Sequence, residues 1–447
     1  MRVAVIGAGI AGVTTAWELA LAGHEVTVVE RRTGAAEEAS FAPTGLASPA
    51  LAVPWSAAPS PWQALMASGG GAPASALWRW RQARNQRADH WQVGAAALAR
   101  LVAASVERVA EISGALRFDC ERADGLLVLV HKGPGEAVAR ASVDWLVAQG
   151  VAARWLEPEG AWAVEPSLAL RGTMAAAVHL PQSRHTNARE FVQCLRAAAR
   201  GRGVRFVFGR EVLALQAGPS PMVRLAPPAP PGPGSASTFG TTRGPATLAM
   251  ASRMPEDGVD RIAGNDLECD AIVVCANLGA KALLAPLGLA LPVAALPGRS
   301  VTVPAHSHEA HRDPAPLGSV FDADEGLAIC RQGTRVRVAD GFGLSRRAGG
   351  AKVPGDEASR PLYRALDRWF PGAARWPQAQ LWQGDRALLP DGLPLLGPSG
   401  RPGVWLNLAH GHHGWSVGCG AARALAEMVS GRESPWDVSA FAAARLG

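Results

Sequence analysis

The chain has 447 residues, of which 48% are hydrophobic and 18% are charged, and its formal net charge is +6. This length allows more than one domain with a buried core, and the composition excludes a largely disordered protein. The positive charge is spread along the chain without a basic run, so nucleic acid binding is not expected.

The six cysteines are scattered and form no C-x-x-C pair. Neither a disulfide framework nor a metal site is therefore expected, and a reducing compartment fits. The chain opens directly on a strand-like run, which leaves no room for a signal peptide, and no apolar stretch reaches the length of a bilayer span. We expect a cytoplasmic protein, for which peripheral contact with the inner membrane stays open.

The N-terminal segment predicts a strand, a glycine turn, a helix and a second strand. Residues 2–7 are a short apolar run that ends in glycine, as expected of a buried parallel strand. The turn Gly7-Ala8-Gly9-Ile10-Ala11-Gly12 follows, an apolar-periodic helix runs to about residue 22, and residues 25–30 predict the second strand. This order predicts a dinucleotide-binding βαβ unit.

Each glycine of that turn has a physical task in such a unit. Gly7 makes the tight turn, Gly9 lets a pyrophosphate approach the backbone, and Gly12 lets the helix pack closely on the strand. The start of the helix, which includes Ile10 and Ala11, presents backbone N–H groups to the phosphates. Glu30 ends the second strand, where its carboxylate can accept hydrogen bonds from the ribose hydroxyls and disfavours NADP. Arg31 follows it at the same end of the cofactor site.

Helical and strand-like periods alternate through the rest of the chain. Helices are predicted at residues 77–113, 135–149, 187–201, 358–369 and about 416–430, and strands at residues 125–130, 204–208 and repeatedly within 292–344. Residues 57–71 are rich in Pro, Gly and Ser and predict a surface loop. Residues 216–265 contain a long Pro- and Gly-rich run and predict a flexible insertion.

Three segments of the sequence resemble one known family. They read SFAPTGLASP at residues 40–49, WQGDRALLPDGLPLLG at residues 382–397 and NLAHGHHGW at residues 407–415. This set resembles the D-amino-acid dehydrogenase small-subunit family, within the superfamily of D-amino-acid oxidase, glycine oxidase and sarcosine oxidase. Weaker matches between the three segments keep the same order along nearly the whole chain.

The resemblance implies noncovalently bound FAD and a fold that combines the α/β and α+β classes. A discontinuous Rossmann-like FAD-binding domain is expected from residues 1–80, 165–290 and 378–447. A substrate domain with a mixed or antiparallel sheet is expected from residues 81–164 and 291–377.

The resemblance also implies which residues contact the cofactor beyond the glycine turn. A glycine-rich loop that leads into the C-terminal helix places a positive dipole where reduced flavin accumulates negative charge. The expected contacts are Ser40 and Gly45 near the pyrophosphate and flavin, Val212 at the adenine, Ala276 and Gly279 beside the dinucleotide, and Gly411, Gly414 and Trp415 along the flavin ring.

Arg386 is the candidate for holding a substrate carboxylate. A guanidinium matches a carboxylate in two parallel hydrogen bonds, and Arg386 aligns with the family's carboxylate-binding arginine. The alternative is a structural ion pair with an acid such as Asp391. Arg331 is a second candidate anion contact on a predicted strand. Trp55 is a candidate wall of the substrate pocket, although simple core packing would also explain it.

Other positions qualify this resemblance. His410, His412 and His413 point in different directions if they lie in a loop, so support of the flavin edge is favoured over metal binding. Several residues depart from the family's pattern, among them Asn187-Ala188 in place of an expected Gly-Asp, and we interpret the chain as a diverged member. Four others stand at single positions. They are Pro43, Asn277, Arg299 and Ala387, which stand where the family usually has Asn, Gly, Tyr and Pro.

The leading hypothesis is an FAD-dependent D-amino-acid dehydrogenase. It would transfer a hydride from the substrate Cα to flavin N5, release a 2-oxo acid and ammonia, and pass the electrons to a quinone-type acceptor. One alternative is an oxygen-using oxidase of glycine, sarcosine or a cyclic imino acid, and another is a degenerate flavoprotein that serves as a binding module. A flavin domain that acts on tRNA is disfavoured by the lack of a basic patch. An NAD dehydrogenase is disfavoured by the C-terminal glycine loop and the segment around Arg386.

Overall fold

A computed structural model of the protein describes residues 1–55, 75–85, 88–169, 174–227, 260, 262, 264–306, 313–340 and 356–446. In these residues the chain forms three β-sheets. The strands in chain order are β1 (Arg2–Ile6), β2 (Glu25–Val29), β3 (Leu46–Ala47), β4 (Ala123–His131), β5 (Arg154–Leu156), β6 (Met174–His185), β7 (Arg205–Val207), β8 (Val212–Gln216), β9 (Met222–Leu225), β10 (Asp266–Glu268), β11 (Ala271–Val274), β12 (Ala294–Pro304), β13 (Ser319–Asp322), β14 (Leu327–Gln332), β15 (Arg335–Ala339), β16 (Gln380–Leu388), β17 (Leu395–Pro398) and β18 (Val404–Leu408).

The helices lie between groups of these strands along the chain. They are α1 (Ile10–Leu21), α2 (Ala76–Asn85), α3 (Ala88–Leu116), α4 (Gly135–Ala148), α5 (Pro158–Val164), α6 (Ala188–Gly201), α7 (Ala280–Leu284), α8 (Asp356–Trp369) and α9 (Gly414–Val429). Among the residues described here, no helix is both long and apolar enough to span a bilayer.

The first sheet is the predicted nucleotide sheet. Its strand order is β17, β18, β11, β1, β2, β7, and all neighbours are parallel except β17 and β18. Val3 to Ile6 are buried because both faces of this sheet are covered, one by α1, α6 and α9 and the other by β8, β9 and α7, as their uninterrupted apolar run predicts. Helix α1 packs between α6 and α9 on one face of this sheet.

The predicted helix at residues 77–113 is two helices, α2 and α3. Leu98, Leu101 and Val102 of α3 share a core with α1 and α9, beneath the nucleotide sheet. Residues 81–164 were assigned to the substrate domain, and this assignment is wrong for α3. A helix covers whichever sheet its apolar stripe reaches, and that choice depends on contacts distant in sequence.

The second sheet has nine strands, and we call it the substrate sheet. Its order is β16, β12, β15, β14, β13, β4, β6, β3, and β5 also pairs with β6. The predicted domain boundaries differ here too, because β3, β6 and β16 lie in segments assigned to the FAD-binding domain. Strand pairing is a long-range choice that a local sequence pattern does not specify. The mixed sheet itself agrees with the predicted fold class, which is confirmed.

The third sheet is a small antiparallel sheet of β8, β9 and β10. Strand β9 lies within residues 216–265, so the predicted flexible insertion is wrong at its start. Met222 to Leu225 pair with both β8 and β10, and this pairing explains why they are ordered. Residues 228–259 of the predicted insertion and all of the predicted loop at 57–71 lie outside the described residues.

Candidate active site

One cavity of about 450 Å³ lies between the nucleotide sheet and the substrate sheet. Its wall includes the glycine turn after β1, the end of β2, the start of β8, the turn after β11 and the loop after β18. It also includes the guanidinium-bearing residue Arg386 on β16. The predicted cofactor residues that line it are Gly7, Gly9, Ile10, Ala11, Glu30, Arg31, Ser40, Val212, Ala276, Gly279, Gly411, Gly414 and Trp415. Two predicted contacts, Gly12 and Gly45, lie behind this wall.

The glycine turn has the close approaches that its spacing predicts. Gly7 has a φ of +103°, which favours glycine, and a Cβ on it would lie 2.9 Å from the Cys275 oxygen. A Cβ on Gly12 would lie 1.8 Å from the Gly7 oxygen, so only glycine lets α1 start this close to β1. Gly9 leaves room for the Ser40 hydroxyl, which accepts a hydrogen bond from the Ile10 N–H at 3.1 Å. The first turn of α1 therefore opens into the cavity.

Glu30 ends β2 with its carboxylate at the cavity wall. Its oxygens accept hydrogen bonds from the Ala8 N–H at 2.7 Å and the Arg32 N–H at 2.8 Å. Burial raises the pKa of Glu30, and these two hydrogen bonds oppose that rise. Arg31, which was predicted beside the cofactor, is bound to Glu38, with 2.6 Å between Nη2 and Oε1. Glu30 is thus held at the place where a ribose would lie.

Gly411 begins a loop near the C-terminal end of the chain that forms part of the cavity wall. Its φ is +54°, and a Cβ on it would lie 2.5 Å from Leu388 Cδ1. Ala409, two residues earlier, has a left-handed φ of +59°. The loop leads into the sixteen-residue helix α9, whose first residues Gly414 and Trp415 line the cavity. The positive end of that helix dipole therefore faces the cavity.

The three histidines of this loop differ in their contacts: His413 is buried, and His410 and His412 are half-buried. His410 Nε2 lies 2.8 Å from Asn407 Oδ1, and Asn407 Nδ2 donates to Thr15 Oγ1 at 2.9 Å. Burial lowers the pKa of His410 to about 4. Burial and, next, the Arg386 charge lower the pKa of His412 to about 4. His413 lies behind the wall, and burial lowers its pKa as well. All three rings are neutral near pH 7.

The same residues do not group as metal ligands. In the part of the chain that the structure describes, no group of three His, Cys, Asp or Glu side chains could hold a metal ion.

Arg386 projects from β16 into the cavity wall. Its guanidinium lies over Gly298, where a Cβ would come within 2.8 Å of Cζ and of Nη2. Nη1 donates to the backbone oxygen of Asp340 at 3.3 Å, and burial lowers the pKa of Arg386. The alternative partner, Asp391, instead pairs with Arg445 at 2.8 Å. Arg386 therefore stays in the cavity wall beside His412.

Arg331 and Trp55 do not line this cavity, so the structure gives no support to their predicted roles. Arg331 opposes Val336 and thus faces away from Arg386, and its Nη1 binds the Asp313 carboxylate at 2.6 Å. The side chains of a strand alternate between faces, and Arg331 has the wrong parity. Trp55 packs in the core, where its Nε1 donates to the Ala50 oxygen at 2.7 Å.

Arg337 is a functional candidate that the sequence reading missed. It lies on the same face of the substrate sheet as Arg386 and is buried. Nε donates to Thr302 Oγ1 and Nη1 donates to the Pro43 oxygen, both at 2.8 Å. Burial lowers the pKa of Arg337 to about 10. It thus anchors the loop that carries Ser40 along the cavity. The alternating sequence RVRVA at residues 335–339 was the feature of the sequence that could have identified Arg337.

These residues fit an FAD. The first turn of α1 lines the cavity and can present backbone N–H groups to the pyrophosphate, Glu30 suits a ribose, and the same cavity continues to the positive end of α9. The glycines lie at the positions where a Cβ would narrow this path or break its walls. The cavity therefore has a donor set that suits a dinucleotide, and Arg386 lies in the same wall.

Comparisons with known proteins match the chain nearly end to end. The family model described as FAD dependent oxidoreductase (DAO) matches residues 2–428. A D-amino acid dehydrogenase of Rhizorhabdus wittichii is 32% identical over 447 aligned positions, which cover 97% of each chain. Glycine oxidase from Geobacillus kaustophilus has a TM-score of 0.69 at 19% identity, over 99% of this chain and 98% of that one. L-proline dehydrogenase from P. horikoshii has a TM-score of 0.66 at 16% identity, over 100% of this chain and 97% of that one. The last two show a shared fold alone.

Proposed function

Because the chain belongs to the DAO family of FAD-dependent oxidoreductases, we propose that it oxidises the α-amine of a D-amino acid. The products are a 2-oxo acid and ammonia, with water consumed, and two electrons pass to a quinone-type acceptor. FAD as cofactor and an oxidoreductase class are confirmed by the family. The observation that carries the substrate proposal is that one cavity joins the dinucleotide cradle to the buried guanidinium of Arg386.

FAD, when bound, supplies the acceptor for the hydride that leaves the substrate Cα. The residues that would hold it are the glycine turn and Glu30 for the adenosine and pyrophosphate half. For the flavin half they are Ser40, the turn at residues 276–279 and the loop at residues 411–415. These contacts come mainly from backbone N–H groups and a helix dipole, which suit a large anionic cofactor. The acceptor beyond FAD rests on the resemblance to dehydrogenases.

Arg386 binds the substrate carboxylate in this proposal. Its guanidinium is buried, so an ion pair formed there is screened less than one at the surface. Two parallel hydrogen bonds orient the carboxylate as well as holding it, which leaves the Cα–H one direction in which to point. Gly298 supplies the space in which the guanidinium lies flat.

The amine must be neutral before hydride can leave Cα, and the cavity favours that form. Arg386 places a positive charge beside the amine, and burial disfavours a second cation there. His412 is neutral at pH 7 because burial lowers its pKa to about 4. The site thus favours the uncharged form of the amine.

An anaerobic substrate screen tests this function. D- and L-amino acids, glycine, sarcosine and cyclic imino acids are added to purified holoprotein, and loss of flavin absorbance is followed. We expect D-amino acids to bleach the flavin, and their L-enantiomers to leave it oxidised. Bleaching by glycine or sarcosine alone, with peroxide released in air, would favour the oxidase alternative. A flavin that no amine bleaches would contradict the proposal and favour a binding module.

A further inference from the structure

Asn277 lies at the junction between the cofactor side and the substrate side of the cavity. It follows β11 of the nucleotide sheet and begins the short 3-10 turn Asn277–Gly279, which lines the cavity. Its φ is +47°, a left-handed conformation that Asn adopts more readily than most residues. Its backbone therefore belongs to the cofactor side.

The side chain of Asn277 reaches across to β16 of the substrate sheet. Nδ2 donates to the Asp385 oxygen at 3.0 Å, and Oδ1 accepts from the Ala387 N–H at 2.7 Å. These are the backbone groups on either side of Arg386. A primary amide carries a donor NH2 group and an acceptor oxygen, and each makes one of these bonds in the order that the strand requires.

The Asn277 side chain makes hydrogen bonds to β16 of the kind that a neighbouring strand would make. Among the residues that the structure describes, β16 is the edge strand of its sheet: it pairs with β12 on one side, with Arg386 opposite Leu296, and forms only an isolated bridge from Leu388 to His410 on the other. Alternate residues of a strand bond to opposite sides, so the groups of Asp385 and Ala387 point away from β12. Asn277 satisfies them on the open side, and the backbone around Arg386 is therefore fixed from both sides.

The position of the guanidinium depends on this backbone. It lies against Gly298 with no room for one more carbon atom, since a Cβ there would come within 2.8 Å of Cζ. A shift of β16 at Arg386 would move the guanidinium away from its position against Gly298. Two departures from the family's sequence pattern, Asn277 and Ala387, are moreover the two partners of one hydrogen bond.

We propose that Asn277 is a positioning residue, whose side-chain amide holds the strand segment Asp385 to Ala387 so that Arg386 meets the substrate carboxylate. Asn277 thereby ties the turn beside the dinucleotide to the arginine that holds the substrate. This inference rests on the proposed function of Arg386 as the carboxylate ligand.

The test substitutes Asn277→Gly, which keeps the left-handed turn and removes both hydrogen bonds. The probe is propionate, which is alanine without its amine, and its dissociation constant is read from perturbation of the flavin absorbance. We expect binding about tenfold weaker, since two hydrogen bonds of ordinary net strength are lost. KM for the D-amino acid should rise by a similar factor and kcat should change less, with flavin content unchanged.

Two further variants separate positioning from a general structural role. Asn277→Asp keeps the acceptor for the Ala387 N–H and loses the donor, so its propionate affinity should lie between those of the wild type and Asn277→Gly. Arg117→Gly is the matched control, because Arg117 is exposed, lies outside the cavity and has a φ of +55°. It should bind propionate as the wild type does. Equal affinity in Asn277→Gly and the wild type would overturn the inference.

Arg386→Leu, alone and combined with Asn277→Gly, distinguishes failure of the inference from failure of the proposed function. Arg386→Leu should retain yellow flavin and bind propionate far more weakly, and adding Asn277→Gly should then cost little more. If Arg386→Leu binds propionate normally, the proposed role of Arg386 fails. If it weakens binding while Asn277→Gly does not, only the positioning role fails. Independent, multiplicative losses would also contradict positioning through Arg386.

Discussion

Arg386 shows how a single side chain depends on its neighbours for its chemistry. A buried guanidinium is costly unless its donors are used, and the Asp340 backbone oxygen takes one of them. The Asp340 carboxylate itself lies 2.7 Å from Arg299 Nη2. Arg299 thus shares Asp340 with Arg386, at a position where the family usually has Tyr. The arginine at position 299 is therefore explained in this chain by its ion pair with Asp340.

Parity separates Arg331 from Arg337 and Arg386 on the substrate sheet. Arg337 and Arg386 lie on the face toward the cofactor side, whereas Arg331 lies on the opposite face with Val336. A shift of one residue along a strand exchanges the faces, so residue type alone could not distinguish them. The structure therefore gives no support to Arg331 as the anion contact that its residue type suggested.

His185 gives a pH prediction at the level of one residue. Burial lowers its pKa from 6.5 to about 3, so the folded chain keeps it neutral where the unfolded chain protonates it. Unfolding then takes up one proton between those pH values, and stability is lost as the pH falls below 6.5. The loss is about 1.4 kcal/mol per pH unit.

The measurement is the free energy of unfolding in urea at pH 6 and at pH 4.5, for the wild type and His185→Gln. We expect the wild type to lose roughly 2 kcal/mol more than the variant across this range. The variant's overall stability does not enter the comparison, because only the difference in slope is read. Parallel slopes would show that folding does not lower the pKa of His185.

Helix α1 is the element on which the cofactor cradle depends. It approaches β1 at Gly12 and approaches α9 where a Cβ on Gly418 would lie 2.7 Å from Ile10 Cγ2. Both contacts need glycine, because any larger residue separates the elements. The two helices then bring their N-termini to the same cavity, one from each end of the chain.

Gly12→Ala should therefore damage both stability and cofactor binding. The added Cβ would lie 1.8 Å from the Gly7 oxygen, so α1 must move away from β1. We expect a loss of roughly 2 kcal/mol or more in the free energy of unfolding and weaker FAD retention. Thermal unfolding and the ratio of flavin to protein absorbance measure the two effects.

The matched control is Gly114→Ala in α3, where a Cβ meets nothing within 4 Å. Alanine is the better helix former, so this variant should gain roughly 0.5–1 kcal/mol and keep its flavin. A Gly12→Ala protein as stable as the wild type would contradict the close approach of α1 and β1.

Over the whole molecule, FAD would join parts of the chain that are far apart in sequence. The cavity wall draws on the first 46 residues, the middle of the chain and residues 386–415. A ligand that binds all of them stabilises the folded state by an amount that depends on its concentration. FAD should therefore act as a bridge between the nucleotide sheet and the substrate sheet.

The prediction is that flavin leaves the chain in urea, because FAD is bound noncovalently, and that adding FAD back restabilises the apoprotein. Free FAD at about 100 times its Kd should stabilise by about 2.7 kcal/mol, a rise in Tm of roughly 3 °C. FMN is the matched ligand, since it lacks the adenosine half that Glu30 and the glycine turn would hold. Flavin that stays with the denatured chain, or equal shifts with FMN and FAD, would contradict this assignment.

The sequence by itself determined the superfamily, the fold class, FAD as cofactor and the position of the glycine cradle. These are local signals: a strand, a turn and a helix follow one another, and each glycine acts on neighbours close in the chain. The motif around Arg386 made it the candidate ligand for the substrate carboxylate.

Only the tertiary structure decided which sheet each strand joined, that α3 covers the nucleotide sheet, and that Arg331 faces away from the cavity. It also brought Asn277 to Arg386 and Arg337 to Pro43, residues separated by long stretches of sequence. Strand pairing and helix packing are chosen by complementary surfaces across the folded chain. A pattern that repeats every two or four residues specifies a face, but it does not specify the partner.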